Sequence, residues 1–80
     1  MKLEKLADYI SLTEPVYIDV YRKDVDGHYV YDDNNSTVLD GKPFMDLPKK
    51  YYDYEILQIG AYGDEFSQEY LWIALQEKGS

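Results

Sequence analysis

Eighty residues carrying sixteen acids against eight bases, a formal charge of −8 and no cysteine make one small acidic domain, 1–80. Disulfides, thiolate metal sites and thiol chemistry are excluded outright. Direct binding to nucleic acid or to an anionic membrane is disfavoured, because both require Lys and Arg to displace counterions. With 45% hydrophobic and 16% aromatic residues the chain is too apolar for intrinsic disorder. Its apolar core must supply, unaided, a stability of about 4–12 kcal/mol.

The N-terminal MKLEKLADYI mixes charges among its apolar residues and so does not read as a signal peptide. No apolar run approaches the ~20 residues of a membrane span, and the lack of cysteine fits a cytoplasmic protein. Leu3, Leu6 and Ile10 recur at intervals of three and four with Ala7 beside them, which predicts an amphipathic helix over 2–11 with Glu4, Lys5 and Asp8 on its wet side. Ser11, Thr13 and Pro15 signal its end, and so short a helix must pack on a sheet to persist. VYIDVYR, residues 16–22, alternates strictly: Val16, Ile18 and Val20 point one way, Tyr17, Asp19 and Tyr21 the other. HYVYD follows, and Asp26-Gly27 between the two runs is a hairpin signal, since glycine accepts the positive φ of a tight turn.

STVLDG, residues 36–41, reads as a further short strand bounded by Asn34-Asn35 and Asp40-Gly41. Pro43 and Pro48 bracket FMDL, and a single helical turn is expected over 48–52 with Pro48 near its first position. YEILQIGAY, residues 54–62, reads as the most buried strand, with Gly60 marking a bulge or a close approach. Gly63-Asp64-Glu65 opens a polar turn. YLWIALQ, residues 70–76, closes the fold with Leu71, Ile73 and Leu75 on the core and Tyr70 and Trp72 opposite. The terminal Lys78-Gly79-Ser80 reads as frayed, its Gly-Ser as a cloning remnant. The sum is an α+β domain: a short N-terminal helix packed on a curled, mostly antiparallel sheet or small open barrel of about five strands.

RKDVDGHYVYDDNN, residues 22–35, tests as a calcium loop through Asp24, Asp26 and Gly27 at its third, fifth and sixth positions and Asp33 at its twelfth. Arg22, however, puts a cation where the first ligand belongs, and the flanks have strand rather than helix periodicity. The stretch therefore reads as a hairpin turn. His28 is the only histidine, so no two-histidine metal site can form. Ser11, Ser36 and Ser67 lack a nucleophile elbow, and no phosphate loop is present. Carboxylate pairs such as Asp32-Asp33 read as turn residues rather than as acid–base partners. No enzyme activity, metal or cofactor is expected.

Ten tyrosines in 80 residues remain to be explained. Many alternate with acids: Tyr17-Ile-Asp19-Val-Tyr21, Tyr29-Val-Tyr31-Asp-Asp33 and Tyr51-Tyr52-Asp53-Tyr54-Glu55. In a strand, spacing by two places such residues on one face, rings with carboxylates among them. Tyrosine is also simply a good strand former, so a small sheet can use it to half-cover its second face. Tyrosine equally serves as an interface anchor, and acids beside it would meet Arg and Lys on a partner. The expected partner surface comprises Tyr17, Asp19, Tyr21, Asp24, Asp26, Tyr29, Tyr31, Asp32 and Asp33, with Asp53, Glu55, Asp64 and Glu65 as a second patch. The expected role is a small inhibitor or modulator of a basic nucleic-acid-handling enzyme, its carboxylates standing where phosphates would lie. The alternative is an accessory domain that assembles or self-associates through its tyrosine face. Reversing Asp32 and Asp33 to Lys is expected to weaken partner binding without unfolding the domain; unchanged binding removes that pair from the surface.

The stretches YVYDDN, VLDGK, DLP and YYDYEILQI, within residues 29–59, resemble short uncharacterised proteins of phages and mobile elements of Firmicutes. The resemblance covers under half the chain and consists of turn and strand grammar, so it implies an origin rather than a chemistry. Such an origin places the chain by analogy beside small acidic anti-CRISPR inhibitors, several of which mimic DNA, with the host cytoplasm as the place of action.

Overall fold

The computed structural model describes residues 1–31, 37–63 and 69–77. Helix α1 is Leu3–Ala7, and the strands are β1 (Pro15–Lys23), β2 (Tyr29–Tyr31), β3 (Thr37–Pro43), β4 (Glu55–Gly63) and β5 (Glu69–Gln76). The fold is α+β, and the strands form one curled, open sheet. Strand β1 uses both of its edges along its length. One edge pairs first with β3, from Pro15↔Pro43 to Asp19↔Thr37, and then with β2, from Tyr21↔Tyr31 to Lys23↔Tyr29, both antiparallel. Its other edge pairs in parallel with β5, from Val16↔Leu71 to Tyr21↔Gln76. Strand β4 lies outside β5, antiparallel to it.

The alternation in β1 sorts its side chains as the sequence predicts. Val16 and Ile18 are fully buried with Ile73 and Leu75 of β5, and Val20 and Leu71 pack against them. Helix α1 covers this face through Leu3, with Leu6, Ala7 and Ile10 partly buried. The helix ends four residues earlier than its periodicity predicts. Tyr9 and Ile10 instead close shorter turns onto the carbonyls of Leu6 and Ala7, and the Tyr9 side chain is exposed. A helix this short is held by packing, which Leu3 supplies and Tyr9 does not.

The segment between the prolines completes the core. Phe44–Asp46 and Lys49–Asp53 each form a 3-10 turn, the second where a helical turn was expected. Phe44 is fully buried and stacks on Tyr52 with centroids 5.8 Å apart, while Tyr51 meets Tyr54 edge-on at 5.1 Å. Tyr51, Tyr52 and Tyr54 therefore pack against the core instead of joining a tyrosine face. The period-2 argument fails because Tyr51 and Tyr52 lie in a 3-10 turn, whose backbone turns every third residue, and Tyr54 directly follows it.

Two expectations about strands are corrected. Strand β4 is not the most buried one: it ends the sheet, and Ile59, though opposite the buried Ile73, is 43% exposed. Apolar composition had stood in for position in the sheet. Asp40-Gly41 likewise does not end β3, which runs on to Pro43. Val16 pairs with Lys42 and Tyr17 with Asp40, so Gly41 (φ 65°) is a bulge inside the strand. Gly60 meets the expectation of close approach, with the Trp72 ring lying over it, while the bulge of β4 falls at Leu57.

The β1–β2 connection is a hairpin whose turn is built by Asp24. Gly27 N–H donates to the Asp24 carbonyl, Asp24 N–H donates to the His28 carbonyl, and Gly27 takes φ 85°. The Asp24 carboxylate oxygen Oδ1 accepts from the backbone amides of Asp26 and His28, both at 2.9 Å. Asp24→Ala should lower stability by about 1 kcal/mol, whereas Asp26→Ala should change it by less than about 0.5 kcal/mol. Urea midpoints of the two variants check this, and equal midpoints would mean that the Asp24 carboxylate does not brace the turn.

The expected polar turn from Asp64 onward and the frayed 78–80 segment lie outside the described residues. So do Asp32, Asp33 and Ser36 at the ends of their expected strands.

Candidate partner-binding face

Among the described residues the helix and the 3-10 turns pack on one face of the sheet, and the other is its open face. Its order follows from the strand registers. One row across the sheet holds Asp40, Tyr17, Trp72 and Gly60, with the bulged Gly41 against the Tyr17 ring; the next holds Thr37, Asp19, Ala74 and Gln58. Large rings sit over small residues. A Cβ on Gly41 would lie 3.1 Å from the Tyr17 hydroxyl, and one on Gly60 would lie 3.2 Å from Cε3 of Trp72. Tyr17 also meets Tyr70 edge-on, with centroids 5.4 Å apart.

Asp19 lies at the centre of this face, and both of its carboxylate oxygens are engaged. Trp72 Nε1 donates to Oδ2 at 2.9 Å, and the Thr37 hydroxyl donates to Oδ1 at 2.8 Å. Three strands are thereby tied through one carboxylate. Asp19 thus orders the aromatic face from within.

Beyond Trp72 the face sinks into an open hollow of about 300 Å³ lined by Tyr21, Tyr29, Leu57, Gln58, Trp72 and Ala74. Ala74 forms its floor because it is the one small residue of β5 on this face, between Trp72 and Gln76. Lys23 lies over the ring of Tyr29, its ammonium 5.7 Å from the centroid.

Of the expected partner surface, Tyr17, Asp19, Tyr21 and Tyr29 come together here, and Tyr31 pairs with Tyr21 through β2. Asp24 and Asp26 lie in the adjoining hairpin turn, Asp24 with its carboxylate on the turn amides. Asp32 and Asp33 lie outside the described residues. In the second patch, Asp53 binds Lys2 at 2.9 Å and Glu55 binds the N-terminal ammonium at 3.1 Å, while Asp64 and Glu65 lie outside the described residues. The Asp53 hydrogen bond, then its charge, holds the Lys2 ammonium above its ordinary pKa. Those two acids thus fasten the N-terminal residues onto the end of the second 3-10 turn and the start of β4.

Tyr70, Trp72, Gln58, Leu57 and Ala74 join the face without having been assigned to it from the sequence. The alternation of YLWIALQ puts Tyr70 and Trp72 opposite the core, but only the β1–β5 pairing brings them beside Tyr17 and Asp19. Among the described residues no three His, Cys, Asp or Glu side chains are placed to hold a metal ion, and no helix is long and apolar enough to cross a membrane. No family model, curated protein or solved structure matches the chain.

Proposed function

We propose that this chain is a non-enzymatic binding protein that engages a basic surface on a protein partner through its open aromatic face and the adjoining acidic hairpin. The observation that carries the reading is the clustering of rings on one face, Tyr17, Tyr21, Tyr29, Tyr70 and Trp72 around an internally braced Asp19, on a chain of net charge −8. Rigid aromatic groups give contact area at low entropic cost, and the surrounding charge steers a cationic partner toward them. A nucleic-acid-handling enzyme is the partner class that combines a basic groove with sites for stacked rings. Occupying that groove would inhibit or modulate the enzyme in the host cytoplasm, in keeping with the phage or mobile-element origin that residues 29–59 imply.

Capture from host lysate at low salt, with elution along a salt gradient, tests the reading. A basic nucleic-acid enzyme released at moderate salt, and lost on reversal of Asp32 and Asp33 to Lys, supports it. Recovery of only neutral or acidic proteins argues against it. A second reading, self-association through the same face, draws on the apolar part of the hollow, Leu57 and Ala74 beside Trp72. A sedimentation coefficient that stays monomeric at high concentration would remove that reading.

A further inference from the structure

We propose that the hollow on the open face seats a cationic side chain of the partner, specifically an arginine guanidinium; this rests on the reading above that the partner is basic. Three aromatic residues, Tyr21, Tyr29 and Trp72, line it, and Ala74 leaves room between them. A cation held over such rings is attracted by the negative face of their quadrupoles, most strongly for indole.

Asp19 strengthens the site without touching the occupant. Its carboxylate accepts the Trp72 N–H at 2.9 Å, which places a full negative charge at the indole edge and raises the electron density of the ring. Asp19 is also the register partner of Ala74, so this charge stems from a backbone position one strand spacing, ~4.8 Å, from the floor of the hollow. Lys23 lies over the Tyr29 ring, its ammonium 5.7 Å from the centroid, so a guanidinium that stacks on Tyr29 must displace that ammonium.

Guanidinium suits the site better than ammonium. It is planar, so it can slide flat between ring walls; it is weakly hydrated, so entering an apolar hollow costs little; and its N–H groups can donate to the Gln58 carboxamide oxygen. At about 300 Å³ the hollow is at the small end of ligand sites and takes one side chain rather than a peptide segment.

The chain contains a single tryptophan, and it lines the hollow, so its fluorescence reports on that part of the face. The full chain is titrated with the capped peptides Gly-Arg-Gly, Gly-citrulline-Gly and Gly-Lys-Gly at low salt, following Trp72 emission and its indole N–H resonance. The expected result is a saturable response to the arginine peptide, at least about fivefold weaker with citrulline, which keeps the shape but lacks the charge. Tyr29→Leu, a change at a half-exposed residue that should leave the circular dichroism spectrum intact, should weaken the arginine response by a similar factor. Equal binding of arginine and citrulline, tighter binding of lysine, or no response to any peptide overturns the proposal.

Lysate capture by the wild type and by Tyr29→Leu separates this proposal from the broader one. If both retain a basic partner equally, the binding function stands and the role of the hollow falls. If the arginine peptide binds as expected but no basic partner is captured, the chemistry of the hollow stands and the partner reading falls.

Discussion

Phe44→Ala is expected to destabilise the protein by about 3–5 kcal/mol, most of what a chain of this size has to lose. Phe44 is fully buried, stacks on Tyr52, and belongs to a cluster of eight buried apolar side chains among the described residues. Its backbone is fixed too: its N–H donates to the Glu14 carbonyl at 2.9 Å, and its carbonyl accepts from Leu47 at 3.0 Å. The surrounding chain therefore cannot simply collapse into the space left behind. For a domain of this size the loss corresponds to a fall in Tm of roughly 15–30 °C. Met45→Ala, one residue along the same 3-10 turn but at a 60% exposed side chain, should shift stability by less than about 0.5 kcal/mol. Thermal denaturation of the pair checks both. A small effect at Phe44 would mean that this segment is not the lid of the core.

Gly41→Ala should cost about 2 kcal/mol and disturb the open face as well. Part of the cost is backbone: at φ 65° a residue with a Cβ is strained by about 1–2 kcal/mol. The rest comes from Tyr17, whose hydroxyl would lie 3.1 Å from the new methyl and whose ring is held on its other side by Tyr70. Tyr17 must shift, so its ring resonances and those of Tyr70 should move along with the loss of stability. Gly63→Ala is the control, because nothing lies within 4 Å of its would-be Cβ and its φ is ordinary. If Gly41→Ala were as mild as Gly63→Ala, Gly41 would not be the platform on which Tyr17 rests.

Features that depend on neighbours in sequence were legible in the sequence. The two faces of β1 follow from period-2 alternation, and the Asp24–His28 turn follows from Asp26-Gly27 and the freedom of glycine to take φ 85°. Features that depend on which strands lie side by side were not legible. Nothing local in YLWIALQ says that it sits between β1 and β4, or that it runs parallel to the first of them. For the same reason an apolar β4 reads as central although it lies at the edge. Phe44 escaped notice because a three-residue turn shows no periodicity from which to infer burial. The aromatic face divides along the same line. Tyr17, Asp19, Tyr21 and Tyr29 can be grouped from one hairpin. The tryptophan that takes the Asp19 carboxylate lies 53 positions away, and the threonine that shares it lies 18 away. The bracing role of Asp19 therefore could not be read from the residues around it.

The parallel pairing of β1 with β5 has a consequence for the order of assembly. Val16 and Leu71, partners at the start of that ladder, lie 55 positions apart (71 minus 16), and the strand latest in chain order fills the middle of the sheet. A chain emerging during synthesis can make the β1–β2 hairpin early, but β1 and β4 must each wait with an unpaired edge until the last strand arrives between them. Closing so long a loop before any contact rewards it makes folding slow for so small a domain. Loss of a few residues from 69–76 would leave two exposed strand edges that any other extended segment could pair with, so shortened chains of this sequence should be prone to aggregate.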